Sequence, residues 1–322
     1  MRRKSVKLNL IDFIPFLPFM TITFEHHIKY NPPTDDKANT ALVILFDSLE
    51  KTDHVLSKAQ LKEAISKGAL WLTRGKHTQR LRRVKKTLQS GDQLHFYYNS
   101  DVLASKVPDA MLISDETDYS VWYKPYGMLS QGSKWSDHCT INRFTEQYFT
   151  PERSAFIVHR LDRAATGLML IAHSKKAARA LSSMFENRTI EGNMLNKQYH
   201  IIVHGDHNKY EQPQIITSDV DGKSARSTFT CLAYDKNKDQ SLIEVKIDSG
   251  RKHQIRLHAA NIGLPVVGDR LHGIADENEA QNLQLCAVSL SFICPLIGIE
   301  KQFELDSQLK PQLSDTSQVI SY

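Results

Sequence analysis

Between Phe156 and Ala172 the chain reads FIVHRLDRAATGLMLIA, and no other stretch limits the possible folds so strongly. Two apolar strands bracket a polar loop. The loop sets one carboxylate, Asp162, between Arg160 and Arg163 and ahead of Gly167. Opposite charges on either side favour the charged form of that carboxylate. Taken alone, such a turn is an ordinary salt-bridged loop; the rest of the chain decides whether it is more.

Strands are expected on both sides of it. Met111–Ile113 and Tyr119–Tyr123 read as neighbours joined by the polar turn Ser114–Asp118, and Lys124-Pro125-Tyr126-Gly127 ends the second. Further strands are read at Lys197–Val203, Ser227–Ala233 and Ser241–Ile247. An amphipathic helix is read from Ser174 to Asn187, with Ala177, Ala180, Leu181, Met184 and Phe185 on one side. A second helix spans Lys252–Asn261. The tail from Ser307 is polar and expected to fray.

Residues 51–100 read as a small module. Ser57 is an N-cap for a helix over Lys58–Lys67, and Gly68 stops it. Ala69–Leu72 and Leu94–Tyr98 read as strands, with a basic helix or turn through Arg80–Lys86 between them. From Lys58 to Lys86 the only acid is Glu63, whereas Lys and Arg recur throughout. A one-sided excess of this kind is what phosphate contacts need, since each neutralised phosphate releases a counterion. Arg80, Arg82, Arg83, Lys85 and Lys86 are the RNA-contact candidates here. The order of elements, the GALWL strand and the SGDQLHFYY ending resemble the ribosomal-protein-S-four-like RNA-binding domain. Before this module, Ala41–Phe46 reads as one buried strand or an interaction segment, after a loop over Asn31–Asp36.

The bulk properties exclude several classes. The chain has 322 residues, 41% hydrophobic and 24% charged, so it can bury a sizeable core in two or three units. The apolar run Ile11–Met20 is short and carries Asp12 and two prolines, which fits neither a signal peptide nor a bilayer-spanning helix. A start upstream of Met20 would give a poorly ordered extension. Cys139, Cys231, Cys286 and Cys294 form no CxxC pair and have no tight histidine company, which points away from structural zinc and from a disulfide framework. A cytoplasmic protein is expected.

The loop around Asp162 has distant company. Val121-Trp122-Tyr123-Lys124-Pro125-Tyr126-Gly127, His159-Arg160-Leu161-Asp162, Lys197-Gln198-Tyr199, Ala225-Arg226-Ser227-Thr228, Gly250-Arg251-Lys252-His253-Gln254-Ile255-Arg256-Leu257-His258 and Gly263-Leu264-Pro265-Val266-Val267-Gly268-Asp269 follow one another in that order. The series resembles the motifs of the RluA-type RNA pseudouridine synthases over residues 111 to 306. The resemblance implies that Asp162 is the catalytic carboxylate, that Arg256 pairs with it, and that Tyr199 packs against the uracil and helps remove the carbon-5 proton. It implies that Arg160 fills the gap left by the extruded base. His159, Arg251 and His253 fall to RNA contact rather than to a metal. Ala164-Ala165 stand where the family usually has Asp-Thr, Lys252 where Thr or Ser is usual, Cys286 where His is common and His272 where Tyr is common.

The expectation is therefore an α+β protein. A mixed, largely antiparallel sheet carries the chemistry over 110–306, beside a small N-terminal α/β RNA-binding module at 51–100. Residues 1–50 are an extension and 307–322 a polar tail. The implied activity is isomerisation of a specific uridine to pseudouridine in rRNA or tRNA, as a monomer, without a cofactor, metal or membrane. A covalent sugar adduct and a glycal intermediate both fit one carboxylate. The alternative is a catalytically silent RNA-binding protein of the same fold, acting in RNA folding or ribosome assembly. A glycoside-cleaving enzyme would generally need two carboxylates, and the motif set holds only one.

Overall fold

The computed structural model describes residues 21–32, 39–186, 195–274, 281–313 and 319–321. The extension before Met20, much of the Asn31–Asp36 loop, the helix end at Asn187 and part of the tail lie outside them. The chain divides into two compact units, Met1–Ala104 and Ser105–Tyr322.

The first unit contains β1 (Thr23–Lys29), α1 (Ala41–Leu49), α2 (Lys58–Ser66), β2 (Leu70–Arg74), β3 (His77–Arg80), β4 (Gln93–Asn99) and α3 (Ser100–Ala104). Its four strands form an antiparallel sheet in the order β1-β4-β2-β3. Ser57 starts α2 as expected: its Oγ accepts from Gln60 N at 3.2 Å, and Gln60 Oε1 accepts from Ser57 N at 2.9 Å. That reciprocal capping satisfies two otherwise orphaned donors.

One expectation changes here. Ala41–Phe46 is the start of α1, not a strand. A short unbroken apolar run has no period to separate the two; burial of Ala41, Leu45 and Leu49, one helical turn apart, marks the helix. These residues, together with Phe24 of β1, share one core with Leu61, Ile65, Leu70, Leu72, Leu94 and Phe96. A boundary at residue 50 would cut that core in two. Of the helix or turn expected over Arg80–Lys86, the turn forms: Lys86 N donates to Arg83 O at 2.9 Å, with Leu81 and Leu88 buried on either side and Arg83, Lys85 and Lys86 exposed.

The second unit is built on a sheet with eleven strands among the described residues. Its elements are β5 (Met111–Asp115), β6 (Tyr119–Lys124), α4 (Ile141–Tyr148), β7 (Phe156–Ile157), β8 (Thr166–Ala172), α5 (Lys175–Glu186), β9 (Asn196–His204), β10 (Gln214–Val220), β11 (Lys223–Asp235), β12 (Gln240–Ile247), α6 (Gln254–Asn261), β13 (Leu285–Ile293), β14 (Glu300–Glu304) and β15 (Val319–Ser321). The main path runs β10-β11-β12-β9-β13-β8-β6-β5. Among the described residues, every strand pairing in it is antiparallel except β13 with β8. This is a mixed α+β domain.

Burial explains why β8 is apolar at successive positions. Leu168 and Leu170 face a cluster with Ala177, Leu181 and Phe185 of α5. Met169 and Ile171 face the opposite cluster with Trp122, Met128 and Ile141. Both faces of the strand are covered, so neither needs polar residues. A third cluster joins α6 to β9, β11, β12 and β13. The tail is anchored at its beginning: Leu309 packs against the cluster beneath α5 and its carbonyl faces the Cys286 thiol at 3.8 Å. Among the described residues no helix is long and apolar enough to cross a membrane.

Candidate active site

The polar loop between β7 and β8 is held from several directions. Ser130 Oγ donates to Leu161 O at 2.7 Å and accepts from Leu161 N at 3.1 Å. Gly127 N donates to Arg163 O at 2.9 Å, and Ala165 N donates to Asp162 O at 3.1 Å, closing the turn. His159 Nε2 accepts from Leu170 N at 3.0 Å, and its ring stacks on Phe185 at 4.2 Å. Gly167, just beyond, has φ +110° and lies against the Ala287 backbone of β13, so closely that a Cβ there would collide with it. A glycine is needed for the two backbones to meet at that point.

Beneath the loop lies Lys124, fully buried. Its ammonium donates to Met128 O at 2.9 Å, Pro125 O at 3.1 Å and Arg163 O at 3.4 Å. Three donors meet three carbonyls, which is what a buried ammonium requires. Burial pushes its pKa down to about 7, against the opposing pull of the Asp162 charge.

Asp162 is 29% exposed at its side chain and meets Arg256 of α6, whose Nη1 lies 3.3 Å from Oδ2. Arg256 is 5% exposed and is clamped from behind by Asp269, itself 1% exposed. Nε donates to Asp269 Oδ2 at 2.7 Å and Nη2 to Oδ1 at 2.5 Å, a bidentate fork. Asp269 also accepts from Leu271 N at 3.0 Å and His272 N at 3.1 Å. Burial pushes the Asp269 carboxyl up, but the hydrogen bonds and charge of Arg256 outweigh it and hold the group below the usual range. Burial likewise disfavours the guanidinium charge, and Asp269 followed by Asp162 reverses the balance, so the Arg256 pKa is raised.

His253 precedes α6 with φ +55°. Its Nε2 lies 3.7 Å from Asp162 Oδ2, and its Nδ1 lies 3.0 Å from Nε2 of His272. Burial lowers its pKa, with Asp162 pulling the other way. Gln254 ties the start of α6 to β11: its Nε2 donates to Arg226 O at 2.9 Å and Ser227 Oγ at 3.0 Å, and its Oε1 accepts from Arg251 N at 3.1 Å.

Asp162, Arg256 and His253 are thus brought together. Tyr199, on β9 opposite Ala287 and Val245, is buried in the apolar cluster that also holds Ala165 and Ile255, the neighbourhood of Asp162 and Arg256. Arg160 and Arg251 are exposed. Arg80, Arg82, Arg83, Lys85 and Lys86 belong to the first unit; Arg80 donates to Gly68 O and covers the Trp71 ring. Reading the sequence gave no role to Asp269, Lys124 or Ser130. The Gly268-Asp269 pair was a signal, because Gly268 has φ +78° and its Cβ position lies within 2.5 Å of Asn282 C.

A family model described as RNA pseudouridylate synthase matches residues 118–261, spanning Asp162, Tyr199 and Arg256. An uncharacterized RNA pseudouridine synthase of Zymomonas mobilis is 36% identical over 182 residues, covering 52% of this chain and 80% of that one. Another, from Aquifex aeolicus, is 28% identical over 283 residues, covering 78% and 85%. The fold is similar to that of human RNA Pseudouridylate Synthase Domain Containing 1, with a TM-score of 0.50 at 19% identity, covering 63% of this chain and 85% of that one. The chain belongs to the RNA pseudouridine synthase family.

Proposed function

We propose that the chain is an active pseudouridine synthase of RluA type, converting a specific uridine of rRNA or tRNA, with Asp162 as its catalytic carboxylate. The observation that carries this reading is the chain of charges Asp162–Arg256–Asp269. An arginine neutralised from behind can stay buried, yet still present one N–H to a second, partly exposed carboxylate. Asp162 is thereby aimed while remaining open to a ligand.

The reaction breaks the bond between the sugar C1′ and uracil N1 and makes one between C1′ and C5. A proton leaves C5 and N1 gains one, so the atoms balance within the nucleotide. Asp162 serves either by bonding to the sugar or by taking a sugar proton to leave a glycal. Arg256 orients it, and Tyr199 packs against the uracil and assists at C5. The target must be extruded to reach the carboxylate, with Arg160 filling its place and His159, Arg251 and His253 flanking the bound RNA. The first unit is an RNA-binding module of ribosomal-protein-S-four-like type, gripping phosphates through Arg80, Arg82, Arg83, Lys85 and Lys86. The enzyme works as a cytoplasmic monomer.

Asp162→Asn keeps the shape and removes the charge. In RNA from cells carrying only this variant, pseudouridine at the wild-type target is expected to disappear. Its persistence would refute the assignment of Asp162 and favour the silent RNA-binding alternative.

A further inference from the structure

The sheet of the first unit carries, on the side away from its helices, a row of side chains that the proposed reaction does not use. His27 of β1 stands opposite His95 of β4, His95 opposite Trp71 of β2, and Trp71 opposite Arg80 of β3. Directly opposed residues point to the same side of a sheet, so the four make one line across all four strands. Their sequence neighbours Leu70, Leu72, Leu94 and Phe96 point the other way, into the core shared with α1 and α2.

The members of the row touch one another. His27 Nδ1 and His95 Nδ1 are 3.0 Å apart, and the Arg80 guanidinium lies 4.2 Å from the Trp71 ring centroid. Tyr97, two residues along β4, meets His27 edge-to-face at 5.7 Å. The His27 side chain is 51% exposed, and Trp71, His95 and Tyr97 are partly so. Aromatic and guanidinium planes on the open side of a sheet are an arrangement on which unpaired bases stack, because every base has a π face.

Charge tells where the phosphates would run. β3 is an edge strand. From Arg74 to Lys86 the sequence around it has seven Lys or Arg and no acid. Glu25, the acid on this side of the sheet among the described residues, stands on β1 at the far edge.

We propose that this side of the first unit is a stacking platform for unpaired nucleotides, with their phosphates directed toward β3. The proposal rests on the reading that the protein's substrate is RNA, and it adds that single-stranded flanks, rather than a duplex, are what the unit takes hold of.

The test titrates the full-length chain with a labelled single-stranded oligoribonucleotide and, separately, with a blunt duplex. Trp71→Ala is expected to weaken single-strand binding about tenfold, with Trp71→Phe close to wild type and duplex binding nearly unchanged, as loss of one stacked base implies. His27→Ala, at a half-exposed position, provides a second variant should Trp71→Ala fail to fold by circular dichroism; a loss of about threefold is expected of it. Wild-type single-strand affinity in both variants, or equal losses for single strand and duplex, overturns the platform. Pseudouridine formation is measured in parallel. Normal modification together with unaltered binding by Trp71→Ala removes the platform and leaves the Asp162 reading in place. Trp71-dependent binding by a wild-type chain that modifies no RNA removes the Asp162 reading and keeps the platform.

Discussion

Replacing Asp269 by Asn isolates the support behind the site. The side chain is 1% exposed and makes two short bonds to a guanidinium that is 5% exposed. Removing one partner from a buried pair costs about 3–5 kcal/mol, because the remaining charge stays buried. Asn keeps one acceptor for the fork, and Asp162, 3.3 Å away, can take up part of the uncompensated charge. The expected loss is therefore at the lower end, about 3 kcal/mol, read as a lower urea midpoint with an unchanged slope. The pH dependence has a definite sign. The folded carboxyl of Asp269 is held below its ordinary value. Its contribution is therefore complete above the unfolded value, near pH 4, and is lost as pH falls through the folded value. The gap between wild type and variant should be full at neutral pH and narrow in acid, below about pH 4. Turnover should fall with little change in KM for RNA, since Asp269 is shielded from solvent and loses only its hold on Arg256. No gap at neutral pH, or a gap that persists undiminished in strong acid, would refute the clamp.

Other outcomes follow from single contacts. Gly167→Ala sets a Cβ against the Ala287 backbone at φ +110° and should cost about 3 kcal/mol by thermal or urea unfolding, with activity lost in proportion to misplacement of the loop. Ser57→Ala removes the cap of α2 and should lower the stability of the first unit by about 1 kcal/mol, while Ser57→Asp should retain it. Lys124→Met should abolish activity by leaving three carbonyls without their donor. Because burial lowers the Lys124 pKa to about 7, the unfolded chain binds the extra proton between there and the ordinary lysine range. Wild type should thus gain stability over that window as pH rises, and Lys124→Met should not.

The strands that carry the loop were legible because their burial is written in their composition. β6 and β8 are covered on both faces, and β8 fills that place with a continuous apolar run. The helix α5 was legible from its one apolar side, and α2 from Ser57 and Gly68. Ala41–Phe46 misled for the converse reason: it is apolar throughout, and only its packing, not its period, makes it a helix. β13 carries no motif of its own, and its place in the middle of the sheet depends on β8 and β9, partners far away in sequence. Within the site, Asp162 and Arg256 could be matched by their motifs. The work of Asp269 and Lys124 could not, since what matters about each is its burial against groups far away in sequence: Arg256 for one, the Arg163 carbonyl for the other.

β13 also orders events in time. In the sheet it lies between β8, the strand that follows Asp162, and β9, the strand that bears Tyr199. As the chain is synthesised from its N-terminus, residues through Asp269 emerge first, and every member of the charge relay is then already present. The strands before β9 and those from β9 to β12 nevertheless remain two separate halves until Leu285–Ile293 arrives to join them. Pairings this distant in sequence form late. The half of the sheet that ends at Asp162 and β8 therefore has no pairing with the half that begins at Tyr199 and β9 until this strand lies between them, which makes β13 the keystone of the unit.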